Sequence, residues 1–191
     1  MLLPGALTEF VFGCKRGMST NLNFSELIQY TDWERSKWYD WLLRRGDDVL
    51  TTSAGPNGDG RFQSVGDVIR HIFSAEKRYI DRLSNRPLTD TASIPNNSIE
   101  ALFQFGRQSR ADLKAFVESD PAQDWDIPQD FSLMNNSLKA TPRKLVAHVL
   151  IHEIRHWAQI ATLCRFAGLR GEFHDFLFSP VLGGEFKRSA S

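Results

Sequence analysis

Between Ser64 and Leu83 the residues Val65, Val68, Ile69, Ile72, Phe73, Tyr79, Ile80 and Leu83 recur at helical spacing among charged side chains. Such a segment has one apolar face and has to bury it against other elements. Three further segments carry the same period: Phe24 to about Leu50 (Leu27, Ile28, Tyr30, Trp33, Trp38, Trp41, Leu42), Ile99 to Val117 (Leu102, Phe103, Leu113, Phe116), and Thr141 to about Gly168. No series of alternating strands accompanies them. Four stripes without a sheet to cover predict an all-α fold, a four-helix bundle.

Boundary signals support the division. Ser25, Ser64 with Asp67 three residues on, and Ser98 are candidate N-caps, and Thr141-Pro142 is a strong helix start because proline at the first helical position gives up no useful N–H. Loop chemistry fills Thr51 to Phe62 (Gly55, Pro56, Gly58, Gly60) and Pro87 to Asn97, and Asp120-Pro121 closes the third helix. Residues 121–140 form a long connection before the last helix. Trp125, Ile127, Phe131, Leu133 and Asn135-Asn136 there suggest extended chain or a small hairpin. After Gly168, LRGEFHDFLFSPVLGG is apolar enough to pack back on the body and KRSAS reads as frayed. The organisation expected is an N-terminal extension (1–20) to which no function is attached, a bundle (21–170) and a C-terminal tail (171–191).

A length of 191 residues suits one such domain. Lys plus Arg and Asp plus Glu are each 23, so no chain-wide basic field exists and nucleic acid is not an expected partner. No run approaches the roughly 18 apolar residues of a membrane span. The opening MLLPGALTEFVFGCKRGM has no basic residue before its apolar part and carries Glu9 inside it, a poor signal peptide; Met18 is an alternative start. Cys14 and Cys164 cannot build a disulfide framework, which suits a reducing compartment, and a cytoplasmic location is expected.

The fourth segment carries His148, His152 and His156. At about 100° per residue from Leu145, Leu163 falls at about 0°, Val149 at about 40°, Ile160 at about 60°, His152 at about 340° and His156 at about 20°. Both histidines are thus expected at the middle of the buried stripe, with His148 at about 300°, near Arg155 at about 280°. Buried imidazoles need partners. A shared metal and two separately hydrogen-bonded core histidines are both open solutions, and Cys164 reads as a small core residue. On the second helix, counted from Val65, Glu76 lies inside the stripe at about 20° and His71 beyond its edge at about 240°. Taken alone, His71 reads as a part-exposed flank residue. Glu76 would pair with an arginine or orient a ligand histidine.

At these residues the chain resembles the DinB/YfiT-like family of metal-binding four-helix bundles. The first helix reads YTDWERSKWYDWLLRRG, the second SVGDVIRHIFSAEKRYIDRL, and the fourth TPRKLVAHVLIHEIRHWAQIATLCRFAG, similar to that family's H-x3-H-x3-H followed by Gln and a closing Gly. The likeness covers about residues 22–170 and rests on the joint order of one His on helix two and the cluster on helix four. It implies metal ligands His71, His152 and His156, with His148 close to the site but not a ligand. Where members often read His-Arg-Gly-Gln, this chain has His156-Trp157-Ala158-Gln159.

The resemblance further implies a thiol S-transferase or isomerase that uses glutathione, bacillithiol or mycothiol on small electrophiles, with Glu153, Gln159 and Glu76 as candidate supporting groups. A set of three imidazoles suits Zn2+ or Ni2+, Fe2+, or Cu2+. A metal-binding or stress-response protein without turnover is the reading from another class. His152-Glu153-Ile154-Arg155-His156 also matches the H-E-x-x-H zinc-hydrolase helix, for which Glu172, His174 or Glu185 would have to supply a third ligand. Finally, Leu150, Ile154, Trp157 and Ala161 fall between about 120° and about 180° on helix four, an apparent second apolar face. That face predicts either a homodimer or cover by the Phe173 to Leu182 tail.

Overall fold

The computed structural model describes residues 21–55, 61–119, 124–133, 136–171 and 174–183. Expectations for the 1–20 extension, Cys14, Asp120-Pro121, Glu172, Phe173, Glu185 and the KRSAS end lie outside them. Four helices dominate: α1 (Phe24–Arg45), α2 (Val65–Leu83), α3 (Ile99–Glu118) and α4 (Pro142–Phe166). A hairpin of β1 (Gln129–Leu133) and β2 (Asn136–Ala140) pairs antiparallel before α4, as the long connection suggested. The main contacts run α1 to α3, α3 to α2, α2 to α4 and α4 to α1, so α2 and α4 are neighbours around the bundle.

Local chemistry accounts for the boundaries. Ser64 caps α2 in a reciprocal box with Asp67, Ser98 caps α3 and Thr141 caps α4 with Pro142 following, all as expected. The cap of α1 differs from the expected Ser25. Asn23 Oδ1 accepts from the Glu26 N–H at 3.0 Å and Glu26 Oε2 accepts from the Asn23 N–H at 2.8 Å, a closed pair that outcompetes a single hydroxyl. The first helix also stops short of Leu50, because Gly46 takes φ +78° and a 3-10 turn follows over Asp47–Thr51. After α4, Gly168 at φ +73° lets the Leu169 N–H reach the Cys164 carbonyl at 2.8 Å, which closes the helix.

The core has two parts. One gathers Trp38, Trp41, Leu42, Ile69, Phe73, Phe103, Trp157 and Ile160; the other gathers Ile28, Ile80, Leu113, Phe116, Leu145, Val146 and Leu150. On every helix a charged residue lies between the two parts: Arg35, Glu76, Arg110 and Glu153, none more than 7 % exposed. Arg35 donates to Glu76 Oε2 at 2.9 Å and to Glu153 Oε2 at 2.8 Å, and Arg110 donates to Glu76 Oε2 at 3.1 Å and to Glu153 Oε2 at 2.6 Å. Gly106 fits this layer by being small. Its carbonyl accepts from Arg35 at 3.1 Å, and a Cβ there would stand 2.8 Å from the Phe73 ring.

This layer corrects the wheel of α4. Leu163 is only half-buried, while Val146, Leu150, Glu153, Trp157 and Cys164 are buried. The stripe is therefore centred on Glu153, and His152 and His156 lie on its flank. Half of the second apolar face belongs to this stripe for the same reason. Leu150 and Trp157 belong to the core of the same chain, and Trp157 stacks on Trp38 at 5.4 Å, while Ile154 and Ala161 are half-buried. The described tail packs on α1 instead: His174 stacks on Trp38 at 4.4 Å, Tyr30 donates to the His174 carbonyl at 2.9 Å and Phe176 meets Tyr30 at 4.9 Å. Among the described residues no helix is long and apolar enough to cross a membrane.

Candidate metal centre

The flank position of His71 on α2, which looked unpromising alone, faces the flank of α4 that carries His152 and His156. His71 Nε2 lies 3.0 Å from His152 Nε2, and His156 Nε2 lies 3.1 Å from the same atom. One ligand atom from each of the three residues falls within 4.8 Å of the others, a group that could hold a metal ion. The i, i+4 spacing on α4 sets two of them one turn apart, and the packing of α2 against α4 brings the third. His148, the expected neighbour, is exposed; its ring is 5.5 Å from that of His152 and 5.3 Å from Tyr79.

The protonation states favour coordination. Burial, then the charges that His156, His71, His148 and Arg155 would place beside it, push His152 down to about 3, so it is neutral at physiological pH. Gln159 Oε1 lies 2.8 Å from His156 Nδ1. An amide oxygen only accepts, so this contact calls for a proton on Nδ1, the tautomer that would leave Nε2 as the ligand atom where the other rings converge. Phe62 covers His71 at 4.8 Å and His156 at 5.8 Å. The centre opens into a cavity of about 610 Å3.

The other candidates are placed elsewhere. Glu76 and Glu153 turn into the bundle interior, where Arg35 and Arg110 hold them and Trp157 Nε1 also donates to Glu153 Oε1 at 3.0 Å. The arginine pairing expected for Glu76 is thus present. In the H-E-x-x-H reading Glu153 would serve as a general base beside the metal. Its oxygens are engaged by two guanidiniums and an indole, and the arginines hold it below the usual carboxylate range against its burial. His174, offered as that motif's third ligand, stacks on Trp38 in the tail. Cys164 is buried and burial pushes its thiol up to about 11, in keeping with a core residue.

Arg35 and Arg110 were not singled out from the sequence. A signal existed: each stands seven residues after and three before apolar positions of its own helix, Ile28 and Trp38 for Arg35, Phe103 and Leu113 for Arg110. Five further arginines, drawn from a loop and two helices, surround the cavity.

The model of the DinB family matches residues 18–182. The chain belongs to the DinB family. No curated protein matches it. A DinB bundle with a three-histidine group between its second and fourth helices agrees with the metal binding that the resemblance implied, and the substitution of Trp157 and Ala158 within the His-x-x-Gln run leaves both His156 and Gln159 in contact.

Proposed function

We propose that this DinB protein is a divalent-metal-dependent enzyme of thiol S-transferase type, acting on small electrophiles with glutathione, bacillithiol or mycothiol. The observation that carries the proposal is the donor set: three imidazoles, converging at 3.0 and 3.1 Å on the wall of an open cavity. His71, His152 and His156 would hold the ion, with Zn2+ or Ni2+ ahead of Fe2+. A bound divalent ion with an open position supplies Lewis acidity that keeps a thiol ionised at neutral pH.

The chain's own groups prepare that step. Burial keeps His152 a neutral donor, and Gln159 fixes the tautomer of His156. Phe62 shields one side of the rings from water. Cys164, the only thiol among the described residues, is raised and enclosed and a poor nucleophile, which favours a thiol supplied from outside.

Metal analysis by mass spectrometry of the purified protein, followed by loss of glutathione or bacillithiol with monochlorobimane, tests this reading. Bound metal with turnover that His71→Ala abolishes is the expected result. Metal without turnover for any thiol would leave a non-catalytic metal-binding or stress-response protein, and absence of metal would end both.

A further inference from the structure

The cavity over the three histidines is lined by Arg61, Arg70, Arg78, Arg82 and Arg155 against one carboxylate, Asp67. Asp67 is already engaged: Arg70 lies 3.0 Å away, Asn96 donates at 2.7 Å and the Ser64 N–H at 3.2 Å. Arg78, Arg82 and Arg155 have no ion-paired carboxylate among the described residues, whereas Arg35, Arg86, Arg107, Arg110 and Arg143 all do. In a chain of zero formal charge, this is a local concentration of cations.

Their placement is directional. Arg78 and Arg82 are one turn apart on α2; Arg82 Nη1 donates to the Arg78 backbone carbonyl at 3.1 Å, which fixes the Arg82 head, and the Arg78 charge is felt there. Arg155 stands opposite on α4, beside His156 in sequence, and its charge is felt at His148 and His152. Tyr79 contributes an aromatic wall and the volume is that of a small-molecule site, about 300 to 1,000 Å3. Planar guanidiniums are suited to carboxylates and other oxyanions, with which they form paired, charge-assisted hydrogen bonds.

We infer that the cavity selects a small polyanion, carrying two or more carboxylates or equivalent oxyanions held by Arg78, Arg82 and Arg155, with its reactive end directed to the three-histidine centre. Only the role of that end rests on the metal-dependent reading; the anion site stands on the arginines alone. Either the thiol or the electrophile can bring the carboxylates, and binding separates the two.

Calorimetric titration of metal-free and Zn2+-loaded protein with succinate and with its neutral diamide tests the inference, alongside glutathione and the carboxylate-free thiol cysteamine. Succinate should bind both forms and weaken as salt rises, while the diamide does not bind. Arg78→Gln with Arg155→Gln, both exposed and without an ion pair to lose, should weaken succinate by about tenfold or more at unchanged Zn2+ content. Competition between succinate and glutathione, with cysteamine indifferent to the variant, assigns the anion to the thiol; simultaneous binding of succinate and glutathione assigns it to the electrophile. Equal affinity for succinate and its diamide, or a double variant that binds succinate as well as the parent, overturns the inference while leaving the metal reading intact. Succinate binding in a protein that takes up no Zn2+ would reject the metal reading and retain the anion site.

Discussion

His152 and Glu153 are adjacent in sequence and belong to two regions with opposite physics. Glu153 sits at the centre of the bundle, 1 % exposed, with its charge answered by Arg35 and Arg110. His152 sits a third of a turn away on the flank, half-buried, held neutral, and converging with two more rings on an open cavity. A buried group with every bond taken has little left to offer a substrate; it joins its own helix to α1 and α3. A cluster of imidazole donors that faces solvent is unfinished without a ligand. The difference distinguishes structure from chemistry within a single turn of α4.

The largest expected effect falls on the first region. Glu153→Ala leaves Arg35 with Glu76 alone and Arg110 with Glu76 and the part-exposed Asp32, and should cost about 3 to 5 kcal/mol in chemical denaturation. A variant that kept its stability and lost only metal would merge the two regions. The reverse holds for His152→Ala: the metal-free protein should unfold almost as the parent does, but Zn2+ at about a hundred times Kd, worth about 2.7 kcal/mol to the parent, should no longer stabilise it. Gln159→Leu should weaken metal about ten- to a hundredfold in competition with a chromophoric chelator, because His156 loses the acceptor that orients it.

An effect confined to alkaline pH sharpens the comparison within the interior itself. Glu34 is as buried as the network but lies outside the arginine pairs; burial first, then the charge of Glu153, pushes it from 4.5 up to about 8. Its folded form keeps the proton after the unfolded form has lost it. The stabilisation is therefore complete below the ordinary carboxylate range and disappears as pH rises through about 8. Glu34→Gln should flatten the fall in melting temperature between about pH 5 and about pH 9, because the neutral amide has no proton to lose. An unchanged slope would mean that Glu34 is ionised in the folded protein.

Much of this was legible in the sequence. The four amphipathic periods, the Ser64, Ser98 and Thr141 caps and the hairpin before α4 follow from short-range rules, because capping and turn chemistry act over three or four residues. The centre of the α4 stripe did not follow. A wheel anchored on Leu145 and Leu163 counts apolar residues as inside, so it misread a stripe whose midpoint is the glutamate Glu153 and moved the histidines inward by about a quarter turn. The partners that make a charge affordable at that point, Arg35 and Arg110, come from two other helices.

Sequence alone therefore determined the elements, their apolar faces and the residue types able to bind a metal, since period and spacing are local properties of the chain. Only the tertiary structure decided which of those residues meet. The packing of α2 beside α4 turned a flank histidine, His71, into the third member of the group and gathered dispersed arginines around it, because contacts between helices depend on how their faces dock and not on distance along the chain.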